Sequence, residues 1–296
     1  MSQTQSQSDS SKYYLPHNSP WPIFAAVSLF VLMAGSAAYL NDWVGAYAFL
    51  PGAILMATMF FCWFGTVIDE NQHGVYNMEV DRSFRMGMMW FIFSEVMFFA
   101  AFFGALFYAR ELSVPWIGGL GVKTVNKIFL WQQYSPGWPT NGPAHLGPRA
   151  DGTFETVPAF GVPAINTVIL LSSSVTVTIA HHALRAAHRG ALKFWLALTF
   201  ILGFSFVGLQ IHEYGEAYRE LGLRLSTGIY GSTFFMLTGF HGLHVTIGAI
   251  MLTIIWFRTL KGHFTPNRHF AFEAVSWYWH FVDVVWLGLF IFVYWL

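Results

Sequence analysis

The chain has 296 residues, of which 55% are hydrophobic, 19% aromatic and only 10% charged, where a soluble domain carries roughly a quarter. Lys plus Arg and Asp plus Glu are both 15, so the net charge is zero and no basic excess exists to hold a nucleic-acid backbone. A water-soluble globule and a nucleic-acid-binding module are both excluded, and the solvent to consider is lipid.

In chain order, the first twenty residues are Ser/Gln-rich, with Lys12 as their only cation. They lack the basic start of a secretory signal and read as a polar cytoplasmic tail, 1–20. Seven apolar runs follow, at 22–40, 48–68, 86–109, 158–180, 191–211, 229–257 and 272–295. Each is long enough to cross about 30 Å of hydrocarbon at 1.5 Å per helical residue. Continuous rather than alternating apolar runs select helices, so the predicted fold is an all-α polytopic membrane protein with seven transmembrane helices. Lys12, Arg82, Arg85, Arg185, Arg189, Lys193, Arg258, Lys261 and Arg268 then share one side of the membrane, which makes the N-terminus cytoplasmic and the C-terminus periplasmic. The third loop, 111–157, is Gly/Pro/Trp-rich and reads as a stiffened cap or a docking surface. The single cysteine, Cys62, excludes an internal disulfide, a CxxC pair and a thiolate zinc cluster.

Of the 30 charged residues only Glu95, Lys193, Glu273 and Asp283 fall inside these runs, the second and third at run ends. Glu95, in FIFSEVMFF, is expensive as an isolated ion in lipid and is expected to be protonated, paired or facing a polar pocket. Asp283 follows His280 by three residues and shares its helix face. With Glu273 and Trp277 these two form one polar stripe, expected to face other helices or a partner. His241 and His244 lie in FHGLHV near mid-span and raise a haem reading. From i and i+3 of one helix they cannot clamp both faces of one haem, so that reading needs His280 as well. The Ser/Thr run of the fourth span (Thr167, Ser172, Ser173, Ser174, Thr176, Thr178) reads as hydroxyl glue between helices. Two clusters at the cytoplasmic boundary, Trp63 with Glu70 and His73, and Arg258 with Lys261 and His263, suit anionic headgroups or an ordinary interface belt.

The stretches FSEVMFF (93–99), PAINTVILLSS with TIAHHAL (163–184), YGSTFFMLTGFHGLHVTIG (230–248) and FEAVSWYWHFVDVVW (272–286) resemble subunit III of the haem-copper cytochrome c oxidases, over nearly all of residues 20–296. The resemblance implies a first helix pair at 21–70, a cytoplasmic loop at 71–85 and a five-helix bundle at 86–296, the two bundles parted by a lipid-filled cleft. It implies no redox cofactor and no metal in this chain, with haem and copper in the partner subunits I and II and cytochrome c as the electron donor of an aa3-type complex. It places Trp63, Glu70 and His73 at one phospholipid headgroup and Arg258, Lys261 and His263 at another. It makes Glu95 a buried carboxylate linked to proton uptake and complex integrity; Asp283, the other carboxylate near mid-membrane by its place in the run, is grouped with it as a proton-related buried carboxylate. His241, His244, His280 and Glu273 become a structural polar network. A bacterial cytoplasmic membrane is the expected location. The sequence departs from the family at the third loop, where 113–136 reads as inserted, and at NQHGVYN after Glu70. Alternatives are subunit III of a quinol oxidase, which typically lacks the first two spans, a membrane cytochrome ligated by His241, His244 and His280, and a proton-coupled transporter centred on Glu95 and Asp283.

Overall fold

The computed structural model describes residues 13–15, 19–120, 128–149 and 152–296. Most of the polar tail, including Lys12, lies outside the described residues, as do Lys123 and Lys127 of the third loop. Among the described residues there are seven long apolar helices: α1 (Trp21–Leu40), α2 (Phe49–Gln72), α3 (Met78–Phe107), α4 (Val162–Arg185), α5 (Arg189–Arg219), α6 (Gly228–Leu260) and α7 (Phe270–Leu289). A π turn, Tyr108–Ser113, and one further helical turn, Val114–Ile117, extend α3, and a second π turn, Phe290–Trp295, extends α7. The chain is an all-α polytopic membrane protein, as the apolar runs require.

The helices outrun the runs that announced them. α3 starts at Met78 rather than 86, and α5 continues to Arg219 rather than 211. A 31-residue helix is about 46 Å long, well beyond the hydrocarbon thickness, so its ends carry polar residues that an apolar scan stops at. Pro22 and Pro163 sit in the first turns of α1 and α4, where a missing N–H costs nothing.

The chain divides into two compact units, residues 1–86 and 87–296. In the first, α1 and α2 approach closely because Gly52 lies against the backbone of Leu32; a Cβ there would overlap Leu32 Cα. Little else is buried on these two helices, and Phe30 and Phe61 are 73% and 83% exposed. Such surface is untenable in water and ordinary in lipid.

In the second unit α4 packs on α5, α5 on α6, α6 on α7, and α7 back on α4. Trp279 and Trp286 of α7 fill the centre with Phe206, Phe234 and Leu170. Trp279 lies between two glycines: a Cβ on Gly203 of α5 would come within 2.7 Å of its ring and one on Gly248 of α6 within 2.8 Å. From Gly87 onward α3 is seated on α6 and α7 by rings, with Phe98 against Phe240 and Phe99 against His244 and Phe281. The described part of the third loop is tied to the bundle. Buried Asn141 donates to the carbonyls of Leu146 and Gly152, Tyr230 at the start of α6 donates its N–H to Thr140, and Arg149 donates to the carbonyl of Glu220.

Candidate functional site

Three groups of polar side chains stand out against this apolar background. The first is centred on Glu95, on the face of α3 that meets α6. Its Oε2 lies 2.9 Å from His244 Nε2, while His244 Nδ1 lies 2.6 Å from the carbonyl oxygen of Phe240 one turn earlier. A carbonyl can only accept, so the Nδ1 proton is fixed, and the Nε2–Oε2 contact must hold one further proton. Whether that proton is drawn on the carboxyl or on the ring, the pair is neutral as a unit. That is what a lipid environment demands of two titratable groups. Their side chains are 20% and 12% exposed, and Phe98, Phe99 and Tyr278 surround the imidazole.

The second group joins α4 to α7. His280 Nδ1 is 2.6 Å from Ser174 Oγ, the Trp279 indole N–H donates to Ser173 Oγ at 2.9 Å, and the Trp286 indole N–H donates to Thr167 Oγ1 at 2.9 Å. Thr176 bonds Thr199 of α5 at 2.8 Å. The Ser/Thr run is thus hydroxyl glue, receiving the ring nitrogens of α7 one after another. The buried Asp283 carboxyl is 3.8 Å from His280 Nδ1, an electrostatic contact beyond hydrogen-bond length, because Ser174 takes the imidazole instead. At the far end of the same stripe Glu273 meets His181 of α4 and His269.

His241 is fully buried and donates from Nε2 to the carbonyl of Val282 at 3.2 Å, with its ring against Phe206 and Trp286. The three histidines of the haem reading therefore serve three different contacts: His241 with the backbone of α7, His244 with Glu95, and His280 with Ser174. Each has at least one ring nitrogen committed to a protein partner.

The third group comprises the two boundary clusters. Glu70 accepts from two phenols, Tyr14 at 3.0 Å and Tyr76 at 2.5 Å, so both its oxygens are engaged. The hydrogen bond to Glu70 raises the Tyr14 pKa, and burial followed by the same carboxylate raises that of Tyr76. Trp63, one heptad before Glu70 and 40% exposed, stacks on Phe64. His73 caps α2, bonds the Asp69 carbonyl at 2.8 Å and projects outward. In the other cluster Arg258, in the last turn of α6, places its guanidinium 4.7 Å over the Phe264 ring. Lys261 is exposed, and burial together with Arg258 and Lys261 lowers the His263 pKa, so this imidazole is neutral at pH 7.

A third buried carboxyl escaped the sequence reading. Glu213, in the extended part of α5, is 1% exposed and accepts the Tyr294 hydroxyl at 2.6 Å. The signal was present: Gln210, Glu213 and Ala217 recur at three and four residues and are all buried, but the apolar run ends at 211. The same face carries Gln210, which donates to the Thr238 carbonyl at 2.9 Å, and Tyr214, which bonds Thr238 Oγ1 at 2.6 Å.

The sequence model of one family, cytochrome c oxidase subunit III, matches residues 11–130 and 145–296, all seven helices included. The chain belongs to the cytochrome c oxidase subunit III family. It is 38% identical to "Cytochrome c oxidase subunit 3" of Neotragus moschatus over 283 residues, 96% of each chain, and 39% identical to the protein of the same description from Dugong dugon over the same share. The protein so described from Carassius auratus is 38% identical, again over 96% of both. As a subunit III the chain is an integral membrane component of an oxidoreductase complex of the respiratory chain, and the family itself carries no redox cofactor. The family match breaks at 131–144, later than the insertion expected at 113–136.

Proposed function

We propose that this chain is the accessory subunit III of a bacterial aa3-type cytochrome c oxidase, which passes electrons from cytochrome c to dioxygen and pumps protons. In this reading subunits I and II hold the haem and copper. The chain packs against them in the cytoplasmic membrane with its N-terminus inside and its C-terminus in the periplasm. Its contribution is mechanical and electrostatic. The observation that carries it is the Glu95–His244 pair, a neutral unit sharing one proton across α3 and α6 in an apolar setting. Such a pair ties two helices together and can hand a proton over without exposing a bare charge to lipid. The presence of α1 and α2 favours the cytochrome c type over a quinol oxidase. Trp63, Glu70 and His73, and separately Arg258, Lys261 and His263, bind phospholipid headgroups in this reading, with Asp283, His280, Glu273 and His241 holding α7 in place.

The test compares the oxidase with and without this chain. Depletion is expected to leave haem spectra unchanged while activity decays progressively during turnover, and Glu95→Gln, which keeps the shape and removes the titrating proton, is expected to reduce proton uptake. Depleted enzyme that turns over as durably as the complete one refutes the maintenance role.

A further inference from the structure

His181 near the end of α4, His269 at the start of α7 and Glu273 one turn into α7 converge on one point. Glu273 Oε1 is 3.1 Å from His269 Nε2 and 3.7 Å from His181 Nε2, and the three ligand atoms all lie within 4.8 Å of one another. A tetrahedral ion with ligand bonds of about 2.0–2.2 Å sets its donor atoms roughly 3.3–3.6 Å apart, and these two separations bracket that edge. The His269 ring is held in place by its backbone. His269 Nδ1 lies 3.1 Å from the Thr265 carbonyl oxygen, which fixes the proton there and leaves Nε2 as a lone pair. A carboxylate oxygen lies 3.1 Å from that nitrogen, and a second imidazole nitrogen closes the triangle. Neither Nε2 makes a hydrogen bond, and both are buried atoms in side chains only 9% and 26% exposed. Three electron-pair donors cannot share a half-buried space unless something positive sits between them, either a proton or a metal ion.

We infer that His181, His269 and Glu273 form a binding site for a divalent transition cation, zinc being the fitting case, with the fourth position left to water. Two imidazoles and one carboxylate are a donor set suited to zinc, and the bond from His269 Nδ1 to a backbone carbonyl is the arrangement that metal-ligating histidines adopt. The ligands come from the two ends of a long stretch of chain, so an ion here clips the end of α4 to the start of α7 at the face where the loop 261–269 turns back. Arg185, one turn beyond His181, adds a positive charge to the neighbourhood and moderates the affinity, which makes the site exchangeable rather than permanently filled. The site contains no redox-active group and is independent of the Glu95–His244 pair.

The test uses the intact oxidase complex, stripped with a chelator and dialysed against zinc buffered at a fixed free concentration. Complex carrying His181→Gln, His269→Gln or Glu273→Gln is expected to retain one zinc equivalent fewer than the parent, with the ratio of this chain to the haem-bearing subunits on a denaturing gel verifying that each variant has assembled. Equal zinc in parent and variants overturns the site and leaves a shared proton as the bridge. A second measurement needs no variant: zinc is expected to slow modification of His181 by diethylpyrocarbonate at least tenfold in the unmutated complex, with His73, which is largely exposed, as the internal reference. An unchanged rate at His181 under saturating zinc overturns it equally.

Discussion

Replacing Glu95 by Ala and by Gln separates a proton-sharing pair from a mere filler of space. His244 gives its Nδ1 proton to Phe240, so a neutral ring offers only a lone pair at Nε2, and its side chain is 12% exposed. In Glu95→Ala nothing answers that lone pair, and an unsatisfied buried acceptor costs about 1–3 kcal/mol. In Glu95→Gln the amide N–H donates to the same nitrogen. An interhelical hydrogen bond worth roughly 0.6–1.7 kcal/mol is kept, and the net change is expected to stay below about 1 kcal/mol. Hydrogen exchange of the α6 amides around His244, measured in the intact complex, reads these local opening energies directly. The Ala variant should exchange about 5–150-fold faster than the parent, which is what 1–3 kcal/mol amounts to. The Gln variant should stay within about fivefold. Equal acceleration in the two variants would falsify the pairing argument, because an amide in the same position, donating to the same nitrogen, would then hold α3 to α6 no better than a methyl group does.

Gly248→Ala places a Cβ 2.8 Å from the fully buried Trp279 ring and should destabilise the second unit by about 1–3 kcal/mol, whereas Gly208→Ala meets nothing within 4 Å and should be neutral or slightly stabilising; thermal inactivation of the complex compares the two. Tyr294→Phe leaves the buried Glu213 carboxyl without its 2.6 Å donor and should cost about 1–3 kcal/mol, read as faster exchange in α5, while Glu213→Gln should largely restore the parent rate. The Tyr76 phenol, buried and bonded to Glu70, has its pKa raised above 10, so its neutral form is favoured in the folded state. Its stabilising contribution is complete below pH 10 and is lost as pH climbs from 10 through the folded value. Phenolate absorbance should therefore show no Tyr76 step near pH 10, and Glu70→Gln should bring one back toward that range; a parent step near 10 that disappears in Tyr76→Phe refutes the contact.

How the candidate site read from sequence depended on whether a residue's environment could be inferred from its own helix. Glu95 stood out because nineteen or more apolar neighbours in one run make any carboxyl anomalous, and a partner across helices was one of the options that followed. The partner's identity did not follow, since His244 is 149 residues away and only the packing of α3 on α6 brings it to 2.9 Å. The His280–Asp283 contact was legible as i, i+3 neighbours, yet the imidazole's hydrogen bond goes to Ser174 of another helix, a competitor that spacing cannot display. Glu213 was lost because a hydropathy run ends where polar residues begin, although the helix does not.

By composition and run length alone, the chain's seven helices, its lipid solvent and the positions of two stranded carboxyls, Glu95 and Asp283, were determined, because hydrocarbon thickness and backbone hydrogen bonding leave a 20-residue apolar stretch one option. Which polar groups meet was decided only by tertiary structure: Glu95 with His244, Ser173 and Ser174 with the rings of α7, Glu70 with Tyr14 and Tyr76, and Glu273 with His181 and His269. The reason is physical. In lipid every helix exposes much the same apolar face, so helix pairing is selected by small residues and by the few polar groups that must find each other, and those choices are made in space, not along the chain.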